Sequence, residues 1–161
     1  AGIAPEKAAK ALAGYRPLAM RQQQYEAGGI LVIDDTYNAS PVSMKAGLDV
    51  LETVGGRKRR IAVLADMKEL GENTKAFHYE VGAYMKDHPV DLLFTLGDLA
   101  REIARGAREN GGAGQIEEFS GKGELTGRLR QVLRPGDCVL FKGSNSMGLA
   151  ELAEQFYDPE E

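Results

Sequence analysis

The stretch from Ile30 to Pro41, ILVIDDTYNASP, decides the fold. Its first four residues are short, continuous, apolar and rich in β-branched side chains, as in a buried parallel strand. They run into Asp34 and Asp35, and then into Asn38 and Ser40, ordinary turn and cap residues. Ser40 makes a good N-cap and Pro41 suits the first helical position. Met44, Leu48 and Leu51 then recur on one helical face until Gly55-Gly56 ends it.

The same strand–loop–helix unit repeats along the chain. Ile61 to Ala65 (IAVLA), Leu92 to Leu96 (LLFTL) and Cys138 to Phe141 (CVLF) are further buried-strand runs, and the more polar Ile116 to Phe119 (IEEF) belongs nearer an edge. Asn73 or Thr74 caps a helix carrying Phe77, Val81 and Tyr84, which Pro89 stops. Leu99, Ile103 and Ala107 form a stripe ending at Gly111-Gly112, with Ala113-Gly114 continuing a linker loop. Leu125, Leu129 and Val132 form another, and Leu149, Leu152 and Phe156 a last one. This alternation predicts an α/β fold with a mostly parallel sheet. Ala19 to Tyr25 is expected to add one strand, turned by Glu26 to Gly29 into Ile30 as an antiparallel hairpin. That makes a sheet of about six strands.

The chain has 161 residues, a length that suits one domain, since domains usually run to roughly 100–200. Hydrophobic residues at 43% and charged residues at 27% are globular values and argue against wholesale disorder. Cys138 is the single cysteine, which excludes a disulfide framework, a cysteine zinc cluster and a CxxC redox pair. No apolar run approaches the roughly 20 residues that span a bilayer, so no membrane insertion is expected. The opening AGIAPEKAAKALAGY lacks the apolar stretch of a signal peptide. A net charge of -4 argues mildly against nucleic acid as the main partner.

Open α/β sheets bind ligands beyond the carboxyl ends of their strands. The loops at that edge hold the unusual polar clusters: Asp34 to Ser40, Asp66 to Gly71 (DMKELG), Gly97-Asp98, and Lys142 to Gly148 (KGSNSMG). An aspartate at a strand end could accept from ribose hydroxyls, Tyr37 could stack on a base and Asn38 could pair with its edge. Asp34 and Asp35 together favour function, because adjacent carboxylates repel. Ser40-Pro41 is better explained as a helix cap. In KGSNSMG, backbone N–H groups before a helix favour an anion, and Lys142 could pair with phosphate or carboxylate. A capped loop with an exposed lysine is equally good. Asp66 and Glu69 could hold a cation or an amine, but Met67 and Leu70 could simply tuck that loop down.

Plain structural roles are favoured for the single residues. His78, beside Phe77 and Tyr79 on a helix, suits packing or solvation more than catalysis. His88 precedes Pro89 as a solvated end, Cys138 is inert core, and Arg57 to Arg60 form a solvated loop on the opposite edge. GxxxxGK[ST], GxGxxG after a strand, HExxH and GxSxG are all missing. The chain by itself is therefore not expected to hydrolyse a nucleotide or carry a dinucleotide. It offers half a site.

DDTYNASP, then VLADMKELGE with its downstream His78, then KGSNSM, resemble in order and spacing the carboxy-terminal domain of the Mur ligases. The likeness is greatest to the branch that joins D-alanyl-D-alanine to UDP-MurNAc-tripeptide. It implies a bacterial cytoplasmic, three-domain enzyme, expected as a monomer, and a Rossmann-like three-layer domain over 18–161. Residues 1–17, with Pro5 to Leu12 as a short alanine-rich helix, would lead out of an absent central domain. That central domain would carry the ATP phosphate loop and the Mg2+ ligands; no metal site and no catalytic residue are expected in this chain. ATP would phosphorylate the peptide carboxylate, and the dipeptide amine would attack the acyl phosphate.

By the same resemblance, Asp35 matches a ribose-contacting aspartate and Arg21, on the first predicted strand, an arginine reaching the nucleotide phosphates. Tyr37 and Asn38 match positions beside the base. Lys142, Ser144 and Ser146 match a loop facing the incoming dipeptide or the muramoyl-peptide terminus. Asp34, Asp66, Glu69 and His78 carry no defined role. Met20, Ser40 and Ala65 depart from the usual residues, and Asn145 stands where arginine is common. Asparagine cannot grip a carboxylate bidentately as arginine does. A different ligase of the superfamily, or a free-standing α/β module for a nucleotide or anion, are the alternatives.

Overall fold

In the computed structural model, residues 20–157 are described, and the expected leading helix and the 1–17 boundary lie outside them. Six strands form one sheet: β1 (Gln23–Ala27), β2 (Ile30–Asp35), β3 (Arg59–Ala65), β4 (Val90–Leu96), β5 (Ala113–Phe119) and β6 (Asp137–Lys142). Their spatial order is β1-β2-β6-β3-β4-β5. β1 pairs antiparallel with β2, and every other pairing is parallel. The α/β architecture with one antiparallel strand is as the sequence predicts.

Among the described residues, five α-helices pack on the two faces: α1 (Pro41–Gly55), α2 (Thr74–Tyr84), α3 (Ala100–Asn110), α4 (Lys122–Val132) and α5 (Leu149–Ala153). Side chains alternate across a strand, so the central strands feed two cores. Ile33, Ala62, Leu64, Leu93 and Leu140 meet Met44, Leu48, Leu51, Val81 and Ile103 of α1 to α3. Val32, Ile61, Val63, Phe94 and Phe141 meet Leu125, Leu129, Leu149 and Leu152 of α4 and α5. The result is three layers.

Ser40 caps α1 in a reciprocal capping box. Its hydroxyl accepts from the Ser43 amide at 3.2 Å, and the Ser43 hydroxyl accepts from the Ser40 amide at 2.9 Å. Four expectations need correction. Among the described residues the first strand begins at Gln23, because Met20 and Gln22 have left-handed backbones (φ 58° and 50°) that interrupt pairing; Ala19, its expected start, lies outside them. Gly28-Gly29 alone make the hairpin turn, both at positive φ. β5 starts at Ala113, so Ala113-Gly114 is strand; its backbone pairs along β4 from Val90 to Leu96 whatever its side chains. The face that α2 buries is His78, Val81 and Gly82; of the expected stripe, Val81 is core and Tyr84 packs half-buried against it, while His78 and Gly82 take the place given to Phe77. Its centre is set by two glycines: a Cβ on Gly82 would lie 2.7 Å from the Ala107 nitrogen, and one on Gly106 2.9 Å from the Ala83 nitrogen.

The Arg57 to Arg60 run is only half a solvated loop. Arg59 and Arg60 open β3. Arg59 forks onto Asp137 at 2.9 and 2.6 Å and reaches the Val132 carbonyl at 2.6 Å. Arg60 pairs with Glu52 at 3.5 Å.

Candidate functional site

Because β6 inserts between β2 and β3, the loops that follow these three strands stand side by side at the carboxyl edge. Two clefts open there. The first, about 820 Å³, is lined by Arg21, Gln22, Gln24, Asp35, Tyr37, Asn38, Ser43 and Lys142, and runs down α1 past Asp49, Val50, Thr53 and Val54. The second, about 440 Å³, is lined by Asn38, Lys68, Glu69, Ser144, Asn145 and Ser146. Asn38 borders both. The four residues expected to meet a nucleotide thus share one cleft, and Ser144 and Ser146 share the other with Asn145 and Glu69.

Arg21 is not on a strand. It precedes β1, and its guanidinium lies 4.2 Å above the centre of the Tyr37 ring. The Tyr37 amide donates to the Met20 carbonyl at 3.0 Å, which ties the two segments together. Tyr37 is 44% exposed, an unusual position for a large ring. Asn38 turns its side-chain carbonyl onto the Ala39 amide at 2.8 Å.

Asp34 and Asp35 coexist because they point to opposite faces of β2, not because they share one ligand. Asp34 is 1% exposed and faces α5. It accepts from the Thr36 hydroxyl at 2.6 Å, the Thr36 amide at 3.1 Å and the Tyr157 hydroxyl at 2.5 Å. Burial and then the Asp34 hydrogen bond push the Tyr157 phenol far above its ordinary range. Tyr157 also stacks on Tyr25 at 3.9 Å, so Asp34 anchors the chain's last described residue to the edge hairpin.

Asp35 faces α1 and accepts from Lys142 Nζ at 2.6 Å. Lys142 is 1% exposed and reaches the Asn38 carbonyl at 3.1 Å as well. Its amine therefore belongs to the first cleft and not, with Ser144 and Ser146, to the second. Gly47 makes room for it: a Cβ there would sit 3.0 Å from Lys142 Cδ and 3.6 Å from Asp35 Oδ2.

The DMKELG loop is held from three sides. Asp66 accepts from the Ala100 amide at 2.8 Å, so it caps α3 from another strand, and it pairs with Lys68 at 2.8 Å. Gly97, at φ 110°, leaves the space that the Asp66 carboxylate fills. The Asp66 carbonyl accepts from the Ser144 amide at 3.1 Å, and the Lys68 amide donates to the Ser144 hydroxyl at 2.9 Å. Met67 is fully buried, as a tucked-down loop requires, and its amide donates to His78 Nε2 at 2.9 Å. Glu69 stands exposed at φ 62°. Among the described residues, no three His, Cys, Asp or Glu side chains converge as a metal-binding set.

Sequence reasoning missed Lys68, Gly47, Tyr157 and the α1 wall of the first cleft. A DxK spacing hints at the first, since Lys68 lies two residues beyond Asp66, but the others arise from contacts between distant segments. None of the helices among the described residues is long and apolar enough to cross a membrane.

Residues 20–145 match the family described as Mur ligase, glutamate ligase domain. The chain is 37% identical over 158 residues to the UDP-N-acetylmuramoyl-tripeptide–D-alanyl-D-alanine ligase of Bacillus subtilis (strain 168), covering 98% of this chain and 35% of that protein. It is 41% identical over 136 residues to the ligase of the same description from Synechocystis, covering 84% of this chain and 29% of the relative. The crystal structure of MurF ligase from Thermotoga maritima in complex with ADP is similar at a TM-score of 0.75 and 29% identity, over 90% of this chain and 32% of that one. The chain spans about a third of the length of the curated relatives it matches.

Proposed function

This chain belongs to the Mur ligase family, as its carboxy-terminal domain, and from that premise we propose that it serves an ATP-dependent ligase joining D-alanyl-D-alanine to UDP-MurNAc-tripeptide. The domain would close over ATP in the first cleft and over the amine substrate in the second. The observation that carries this is the division of the carboxyl edge: Arg21, Asp35, Tyr37 and Asn38 line one cleft, and Ser144, Asn145 and Ser146 the adjoining one.

In the first cleft, the Asp35 carboxylate gives one oxygen to Lys142 and can take a ribose hydroxyl on the other. Lys142 holds both Asp35 and the Asn38 carbonyl, which fixes the loop beside the base. Tyr37 offers an exposed ring for stacking, and Arg21 above it supplies a cation at the cleft wall for phosphate oxygens.

In the reaction, a carboxylate oxygen of the tripeptide takes the terminal phosphoryl group of ATP and ADP leaves. The amine nitrogen of D-alanyl-D-alanine then attacks the acyl carbon. The C–O bond to phosphate breaks, phosphate departs, and the nitrogen loses a proton. Magnesium, when bound by the phosphate-loop part of such an enzyme, would offset the nucleotide's charge. This domain would bind, orient and exclude water as it closes, and no catalytic residue is assigned to it. The second cleft presents hydroxyls and the Asn145 amide to the dipeptide, without a bidentate arginine. Function in the bacterial cytoplasm, as a monomer, completes the proposal.

The test is amide formation by the complete enzyme that contains this chain, with a panel of amines. Phosphate release should require ATP, UDP-MurNAc-tripeptide and D-alanyl-D-alanine together. Equal release with a single amino acid, such as an acidic or dibasic one, would overturn the assignment.

A further inference from the structure

His78 is fully buried on α2 and has no part in the reaction just described. Its two ring nitrogens have unlike partners. Nδ1 lies 2.6 Å from the Thr74 carbonyl oxygen, which can only accept, so Nδ1 carries the proton. Nε2 lies 2.9 Å from the Met67 amide, which can only donate, so Nε2 is bare. The two contacts select one neutral tautomer. Burial, the dominant influence, holds the ring's pKa below its ordinary value. The charged groups that influence it are Asp66 and Lys68 of the loop after β3 and Glu102 of α3.

The residue it holds sits between two others gripped by a different loop. The Asp66 carbonyl accepts from the Ser144 amide, and the Lys68 amide donates to the Ser144 hydroxyl. Ser144 thus bonds residues 66 and 68, and His78 bonds residue 67 between them. Without that third bond, the Met67 amide would be a buried donor with no partner. Lys68 and Glu69, the next residues along, form one wall of the second cleft, and Ser144, Asn145 and Ser146 form the facing one.

We propose that His78 is a positioning residue for the amine-substrate cleft: as the Nδ1–H tautomer it holds Met67, and through Met67 it sets Lys68 and Glu69 against the Ser144–Ser146 loop. This rests on the second cleft receiving the dipeptide. Nε2 must stay an acceptor; a proton there would face the Met67 N–H donor to donor.

The test compares His78→Leu with His78→Gln in the complete enzyme, because a glutamine carbonyl can stand near Nε2 and still accept from Met67. The leucine variant should raise the KM for D-alanyl-D-alanine about tenfold while the KM for ATP stays within about twofold, and glutamine should recover most of the loss. A dipeptide KM unchanged in both variants would overturn the proposal, as would equal damage to both KM values with no recovery by glutamine. If the leucine variant does not fold, 15N spectra of histidine-labelled wild-type enzyme decide. Nε2 should be unprotonated and Nδ1 protonated at neutral pH, and the reverse tautomer or an imidazolium would overturn the proposal. A wild-type enzyme inactive with the dipeptide would refute the proposed reaction instead, and the spectra would still judge His78.

Discussion

Lys142 Nζ lies 2.6 Å from Asp35 Oδ2, and the two residues face each other in register on the adjacent parallel strands β2 and β6. Both are nearly inaccessible, and the same ammonium reaches the Asn38 carbonyl. One buried pair therefore ties the first cleft's aspartate to its loop. Removing one partner strands the other charge, which typically costs about 3–5 kcal/mol. Lys142→Met should lower the unfolding free energy by about 3 kcal/mol. The double variant Asp35→Asn, Lys142→Met should cost less than the sum of the two single changes. Urea unfolding of the four proteins measures this, and strict additivity would mean the pair carries no coupling.

The contact between α2 and α3 depends on glycine at two facing positions. Gly82→Ala places a methyl group against the backbone of α3, where no flexible side chain can move aside. Although alanine favours helix, the crowding should dominate and destabilise the chain by about 2–3 kcal/mol. Gly127, on α4, has open space around it, so Gly127→Ala should be neutral or stabilising. Thermal unfolding of the two variants should move in opposite directions or by plainly unequal amounts.

His78 gives stability a pH dependence of defined sign. Its folded pKa is lowered from 6.5, chiefly by burial. Above 6.5 the ring is neutral in both states, and its full contribution is present. As pH falls below 6.5, the unfolded chain takes up the proton first, and stability declines until the folded pKa is passed. His78→Gln should flatten this part of the profile, as pH falls below about 6.5. Urea midpoints of both proteins across that window give the difference, and parallel curves would contradict a depressed His78.

The 161-residue chain alone should neither hydrolyse ATP nor form an amide. It lacks a GxxxxGK[ST] phosphate loop. Sensitive phosphate-release assays with saturating ATP test this, and sustained turnover by the purified chain would contradict the assigned division of labour.

The strands, the Ser40 cap and the polar loops were legible because each depends on local pattern: apolar runs, turn residues and a proline at the first helical position. The insertion of β6 between β2 and β3 was not, since strand order is decided by contacts between residues as far as 78 and 107 positions apart. That insertion is what sets Asn38 between two clefts. Asp34 and Asp35 invited a shared role when read as neighbours in sequence, yet the strand's alternation sends one to Tyr157 and the other to Lys142. His78 could not be valued from its own helix, because its partner amide lies in the loop after β3. Gly82 and Gly106 carry no signal within their own helices, and only the facing backbone explains them.

The most direct measurement is the kinetic effect of Tyr37→Ala in the complete enzyme, because this exposed ring can be removed without opening a core. Base stacking on an aromatic ring is worth about 1–3 kcal/mol, so the KM for ATP should rise about tenfold. The KM for D-alanyl-D-alanine should stay within about twofold, since the proposal puts the dipeptide in the neighbouring cleft. An unchanged KM for ATP, with the loss falling on the dipeptide, would contradict the placement of the nucleotide between Arg21, Asp35 and Tyr37.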